Sequence, residues 1–248
     1  MINQIYIIES LPHGERQTGK ELYDDTITRY IEFHSKSIEH NYTFVNSSAD
    51  FISKLENILT QITENTELIL HVEAHGGLEE MQFSNGDLFK WVDLEMILSK
   101  INLKTKNGLH LNIATCHGMY LGEKLNLKST APYKSYISAL RTMLPSEIIE
   151  DNTILYQKII ETQNLYKSFL EFNILRNETQ LRIKDIETVL SFILIIQIKR
   201  FVNNRWIIKD FLDEYLNIEI KENKLNELSN ELLTQYIFLL FMQRYLPN

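Results

Sequence analysis

Two apolar runs constrain the fold of this chain most strongly, LILHVEAHGG at residues 68–77 and LHLNIATCHG at residues 109–118. Each is apolar on both faces of an extended chain, which is typical of a strand buried inside a parallel sheet. Each also ends in a histidine followed by glycine, and the second run contains Cys116, the only cysteine of the chain. Catalytic and ligand-binding groups of such sheets collect beyond the carboxyl ends of the strands. We therefore expect the functional site to lie where these two runs end.

Strand and helix patterns alternate through the first half of the chain. Further strands are predicted at residues 5–8 and 42–45 and from residue 131 onward, because short β-branched or aromatic runs are bounded there by turn residues. Helical stripes separate these runs, and Ser47 or Ser48 can cap the helix that contains Phe51 and Leu55. Asn85-Gly86 is a strong hairpin signal. The alternation predicts an α/β fold with a mostly parallel sheet flanked by helices.

The second half of the chain has a different pattern. All 8 glycines precede residue 123, and helical periodicity dominates from about residue 150. Helices are predicted at residues 178–202, 207–216 and 224–245. We therefore expect an α/β domain at residues 1–149, followed by an all-helical C-terminal region at residues 150–248 that packs on it.

Charge and cysteine content limit the functional classes. The net charge of −8 disfavours nucleic acid or an anionic membrane as the main partner, because both require a basic surface. The N-terminus lacks the pattern of a secretory signal, and the longest nearly pure apolar run, residues 189–196, is too short to span a membrane. A single free thiol fits a reducing compartment. We expect a cytoplasmic protein, whose oligomeric state the sequence does not indicate.

His75 and Cys116 are residue types suited to nucleophilic catalysis by a thiolate. A thiol, with an ordinary pKa of about 8.5, attacks as the thiolate that a neighbouring imidazole helps to form. If the two strands are neighbours, His75 and Cys116 come within reach of each other. Glycine at position 76 allows close backbone approach, and the N–H groups of Gly76 and Cys116 can then stabilise an oxyanion.

These motifs resemble those of a known group of enzymes. AHG after one strand and ATCHG after a later strand, with a hairpin, a helix and a strand between them, resemble the histidine and cysteine motifs of the caspase-like cysteine peptidases. The order of the intervening elements is most similar to that of the bacterial CHAT and caspase-like proteases. The resemblance covers roughly residues 1–150.

The resemblance implies roles for individual residues. His75 would be the general base, Cys116 the nucleophile, and the Gly76 and Cys116 N–H groups the oxyanion hole, with no cofactor and no metal. Glu73 would support His75, since it lies two positions earlier on the same side of the strand. Residues with a weaker expected role, at the substrate cleft, are His13, Arg16 and Ala114. Ala114 stands where caspases that cut after Asp have Gln and where metacaspases have Asp, so neither specificity is carried over.

The sequence therefore predicts a cysteine endopeptidase that cleaves a protein substrate. By resemblance it would be latent until a partner protein or ligand activates it, and related bacterial enzymes serve in defence or programmed cell death. One alternative is a catalytically silent module of the same fold that binds partners through its helical half. A second alternative is a zinc site, since His71, Glu73 and His75 alternate along one strand and Cys116 can complete four ligands.

Overall fold

The computed structural model describes residues 1–123, 129–139, 141–176, 179–189 and 230–246. Six of its strands form the main sheet, in the order β2-β1-β3-β6-β7-β8. Their bounds are β1 (Gln4–Ser10), β2 (Glu39–Phe44), β3 (Leu68–Gly76), β6 (Leu109–Ile113), β7 (Ser135–Ala139) and β8 (Leu181–Asp185). A hairpin of β4 (Glu80–Gln82) and β5 (Leu88–Lys90) extends the end of β3.

The predicted parallel sheet is confirmed. Strands β2, β1, β3, β6 and β7 run parallel to one another, and β8, at the edge of the main sheet, is antiparallel to β7. Strand β3 lies between β1 and β6, with Leu68 opposite Gln4 on one side and Leu109 on the other. The two apolar runs are therefore neighbouring strands, and their carboxyl ends lie at the same edge of the sheet.

Helices cover both faces of the sheet. Their bounds are α1 (Thr18–Leu22), a π-helical segment (Tyr23–Thr28), α2 (Arg29–Phe33), α3 (Ser48–Gln61), α4 (Trp91–Lys104), α5 (Pro145–Thr162), α6 (Leu165–Leu175) and α7 (Asn230–Tyr245). Helices α3, α4 and α7 contribute to the hydrophobic core on one face. The core on the other face involves α1, α5 and α6.

Local sequence signals explain two of the boundaries. The Ser47 side chain accepts a hydrogen bond of 3.1 Å from the Asp50 N–H, which caps α3 as the sequence predicts. In the β4–β5 hairpin, Gly86 has a φ of 92°, a conformation that residues with a Cβ rarely adopt. The predicted hairpin turn at Asn85-Gly86 is therefore confirmed.

The C-terminal half differs from the sequence prediction. Residues 181–185 form β8, an edge strand paired with β7, although helical periodicity predicted a helix there. The expectation of an all-helical C-terminal region is thus wrong at β8, because pairing with β7 and burial of Leu181 outweigh the local pattern. The domain boundary expected between residues 149 and 150 falls inside α5.

Several predictions for the C-terminal half lie outside the described residues. These are the helix at residues 207–216, most of the helix at 178–202, the apolar run at 189–196 beyond its first residue, and the start of the helix at 224–245. The end of that last helix is described as α7. Within the described parts of the chain, no helix is long and apolar enough to cross a membrane.

Candidate active site

His75 lies at the end of β3. Pairing with β4 places His75 opposite Gln82, and the side chain of His75 is about half exposed (45%). Two residues after His75, Gly77 donates its N–H to the Glu80 carbonyl oxygen at 2.7 Å, and its own carbonyl oxygen accepts from Trp91 Nε1 at 3.2 Å. These contacts hold the segment after His75 against the hairpin and α4.

Cys116 lies in a tight turn directly after β6. His117 has a φ of 58°, in the left-handed region, and the Gly118 N–H donates to the Thr115 carbonyl oxygen at 3.3 Å. A Cβ at residue 118 would lie 2.5 Å from Ser138 Oγ and 2.7 Å from Ile113 Cγ2, so only glycine fits there. The turn leaves Cys116 partly exposed at the carboxyl edge of the sheet.

The ends of β3 and β6 are packed against each other at Gly76. A Cβ at residue 76 would lie 2.1 Å from the Cys116 carbonyl oxygen, so the close approach depends on glycine. The Ala114 N–H donates to the Val72 carbonyl oxygen at 2.9 Å. The backbone polar groups along a strand point alternately to its two neighbours, so those of the even-numbered residues of β3 point toward β6. From the same alternation we expect the Gly76 N–H to point toward the side of Cys116, the direction that an oxyanion hole made from these residues requires.

The ring of His75 is paired with a carboxylate that the sequence did not indicate. His75 Nε2 lies 3.0 Å from both carboxylate oxygens of Glu15, in the loop between β1 and α1. Although both side chains are described, the imidazole forms no hydrogen bond with the Cys116 thiol in this structure. Glu15 and His75 are 60 residues apart in sequence, and the pairing of β1 with β3 brings the two together.

Glu73 has partners other than His75. Its carboxylate accepts a hydrogen bond from the Thr18 hydroxyl and lies 2.9 Å from His71 Nε2. His71 Nδ1 in turn lies 3.0 Å from the Tyr156 hydroxyl on α5. His71 and Glu73 are both buried, and their side chains join β3 to the two helices that cover it. This hydrogen bonding explains why a histidine occupies the middle of a buried strand.

A second buried carboxylate, Glu9, lies opposite Glu73 on β1. It accepts hydrogen bonds from the Gly19 N–H at 2.7 Å, the Lys20 N–H at 3.2 Å and the Tyr42 hydroxyl at 2.7 Å. Burial raises the pKa of Glu9 above its ordinary value, the Tyr42 hydrogen bond lowers it, and the neighbouring Glu73 raises it again. The start of α1 is therefore bound to two carboxylates at the ends of β1 and β3.

The residues expected at the substrate cleft are described individually. The His13 ring stacks on Phe44 with a centroid distance of 5.2 Å. Arg16 forms an exposed salt bridge with Glu21 at 2.6 Å. Ala114 is partly exposed between β6 and the Cys116 turn. His13 and Arg16 thus belong to the same loop as Glu15, while Ala114 is two residues from the thiol.

The zinc alternative finds no support in the described residues. They contain no group of three His, Cys, Asp or Glu side chains arranged to hold a metal ion. The four proposed ligands have separate environments, since His71 and Glu73 are buried in the core and His75 is paired with Glu15. A site built from these four residues would require the β3 side chains to be rearranged.

Comparison with known proteins found no family model that matches the chain and no curated protein with significant similarity. The resemblance to caspase-like peptidases therefore depends on the His75-Gly76 and Cys116 motifs and the elements between them. The function has to be argued from the geometry of these residues.

Proposed function

We propose that the protein is a cysteine endopeptidase, with Cys116 as nucleophile and His75 as general base. The observation that carries the proposal is the contact of Gly76 with Cys116 at the carboxyl ends of two neighbouring parallel strands. In support, the His75 imidazole and the Cys116 thiol follow neighbouring strands at one edge of the sheet, and the Gly76 N–H is expected to point toward Cys116 there. These are the groups that acyl transfer from a peptide to a thiol requires.

The proposed reaction begins with transfer of the Cys116 proton to His75. The thiolate attacks the peptide carbonyl carbon, and the Gly76 and Cys116 N–H groups stabilise the oxyanion of the tetrahedral intermediate. The protonated His75 then gives its proton to the leaving amine as the C–N bond breaks. Water attacks the resulting thioester with His75 again as base, which releases the acid and restores the thiol.

The resting geometry supports a latent enzyme. The His75 imidazole is bound to Glu15 and has not closed on the thiol, and catalytic hydrogen bonds often tighten only when substrate binds. A protein substrate or an activating partner that presses the loop at residues 11–17 toward Cys116 would complete the site. We propose such activation for this chain.

Alkylation by iodoacetamide tests the dyad directly, because Cys116 is the only cysteine that can react. We expect the wild-type thiol to react faster than free cysteine at pH 7, and His75→Ala to remove the difference. His34→Ala is the matched control, since His34 contacts Tyr30 and Phe33 away from the proposed site. If both variants react like the wild type, His75 does not assist Cys116.

Cleavage of a diverse peptide library tests the activity. Wild type should cut a subset of peptides, and Cys116→Ala should cut none. Equal cleavage by both proteins would indicate a contaminating protease. If alkylation shows an assisted thiol but no peptide or protein is cut under any condition, the silent binding module becomes the better explanation.

A further inference from the structure

The loop that contains Glu15 is ordered by its own hydrogen bonds. Gln17 Nε2 donates to the carbonyl oxygens of Pro12 at 3.0 Å and Glu15 at 3.2 Å. The Glu15 N–H donates to the Pro12 carbonyl oxygen at 2.9 Å, which closes a turn. The backbone of Glu15 is therefore fixed from within the loop, although the side chain is exposed.

The end of this loop is also attached to the sheet. Thr18 donates its hydroxyl proton to Glu73, and Gly19 donates its N–H to Glu9. Both acceptors are buried carboxylates near the ends of β3 and β1. A Cβ at residue 19 would lie 3.2 Å from the Glu9 carboxylate, so the backbone approaches that acceptor closely. These contacts begin three residues after Glu15. They attach Thr18 to β3, the strand that contains His75, and Gly19 to the neighbouring strand β1.

Sheet order places Glu15 and Cys116 on opposite sides of His75. Glu15 follows β1 and Cys116 follows β6, and β3 lies between these two strands. An imidazole has two nitrogens that point away from each other, and Nε2 of His75 is the one bound to Glu15. A carboxylate accepts hydrogen bonds, so Nε2 is the nitrogen that donates to Glu15, and in the neutral ring Nδ1 then carries the lone pair.

We propose that Glu15 is a positioning residue for the His75 imidazole, completing a Glu15–His75–Cys116 arrangement in which Nδ1 receives the thiol proton. The inference rests on the proposed function. Glu15 does not touch the reacting atoms. It holds the ring in one orientation and one tautomer, and it remains beside the positive imidazolium that forms when the proton moves from sulfur to Nδ1.

The size of the effect follows from the exposure of the pair. The side chains of His75 and Glu15 are 45% and 46% exposed, so their hydrogen bond is worth about 1 kcal/mol at most. Because 1.36 kcal/mol corresponds to a tenfold change, this limits the effect of Glu15→Ala to about fivefold. Substitution of so exposed a side chain should leave the fold intact, which thermal unfolding would check.

The first measurement is the rate of Cys116 alkylation in five proteins, the wild type and the variants His75→Ala, Glu15→Ala, Glu15→Gln and Glu21→Ala. We expect Glu15→Ala to lower the His75-dependent rate by up to about fivefold, and Glu15→Gln, which keeps an acceptor oxygen, to restore part of it. Glu21→Ala is the matched control, because Glu21 is a similarly exposed carboxylate that binds Arg16 in the same loop and does not contact His75. It should react like the wild type.

The second measurement is independent of catalysis. A nitrogen–proton correlation spectrum of the histidine side chains, assigned with His75→Ala, reports which ring nitrogen of His75 carries the proton. We expect the Nε2–H tautomer in the wild type and in Glu21→Ala, and a mixture of tautomers in Glu15→Ala.

The outcomes separate the two proposals. If His75→Ala does not change the alkylation rate, the dyad fails and Glu15 has no positioning role. If His75→Ala slows alkylation but Glu15→Ala leaves both the rate and the spectrum unchanged, only the role of Glu15 is refuted. A faster rate in Glu15→Ala would show that the carboxylate withholds His75 from the thiol, which also overturns the inference.

Discussion

Replacement of Gly76 by alanine gives the sharpest test of how the two strand ends are held together. A Cβ at this position lies 2.1 Å from the Cys116 carbonyl oxygen and 2.9 Å from Thr115 Cβ. Carbon and oxygen atoms in close contact are normally about 3.3 Å apart or more, so the two backbones must separate by about 1.2 Å. No side-chain rotation relieves this contact, because the oxygen belongs to the backbone.

The expected magnitude has a stability part and a catalytic part. Overpacking of a tight contact costs about 1–3 kcal/mol. The lower entropy of the unfolded chain with alanine offsets about 0.4–1 kcal/mol of this, which leaves a net loss of about 1–2 kcal/mol. A displacement of about 1 Å between reacting groups lowers the rate by about 10²-fold, so the peptide cleavage proposed for this chain should nearly disappear.

Urea unfolding and Cys116 alkylation measure the two parts separately. Gly77→Ala is the matched control, since a Cβ there lies 3.5 Å from the Glu80 carbonyl oxygen, an ordinary contact. We expect Gly77→Ala to stay within about 0.5 kcal/mol of wild type, a change typical of a substitution without a clash. If Gly76→Ala is as stable as Gly77→Ala and its thiol reacts like the wild type, the two strand ends are not packed as the structure describes.

Three predictions concern buried or partly buried polar groups. Burial raises the pKa of Glu9 above 4.5. The stability that Glu9 contributes is therefore complete below pH 4.5 and is lost as the pH rises through the folded-state pKa. Urea unfolding should show this loss of stability in the wild type and not in Glu9→Gln. The hydrogen bond from His110, together with the N-terminus and Lys134, holds the pKa of Glu67 well below 4.5, against the effect of burial. Glu67 therefore adds stability above 4.5 that is lost as the pH falls, and Glu67→Gln should flatten the acid side of a pH–stability profile. His71→Phe keeps the ring but leaves the Tyr156 hydroxyl and the Glu73 carboxylate without that partner, so the free energy of unfolding should drop by about 2 kcal/mol or more in chemical denaturation. If the pH–stability profile of Glu9→Gln or Glu67→Gln, or the denaturation midpoint of His71→Phe, equals that of the wild type, the contacts described for that residue do not stabilise the fold.

Much of the α/β fold could be predicted from local pattern. The strands containing His71 and Asn112 are apolar on both faces, and this feature by itself indicated buried parallel strands with helices on either side. The hairpin at Asn85-Gly86 and the cap at Ser47 followed from the conformational preferences of single residues. The positions of His75 and Cys116 at two strand ends were also evident, because each follows an apolar run, with Gly76 directly after His75 and Gly118 two residues after Cys116.

The same local reasoning failed where pairing with a distant strand decides the conformation. Residues 181–185 have a pattern compatible with a helix, and they form β8 because an unpaired edge of β7 is available to them. Local periodicity contains no information about such an edge. The tertiary contact therefore overrides the propensity of the segment.

The sequence by itself thus determined which residues with reactive side chains lie at the edge of the sheet, since strand periodicity and the glycines that follow a strand are local properties. Only the tertiary structure decided which groups meet there. It paired His75 with Glu15, Glu73 with His71 and Thr18, and Gly76 with the Cys116 carbonyl. The physical reason is that strand order is set by how the whole sheet buries its two cores, and residues far apart in sequence become neighbours only after that order is established.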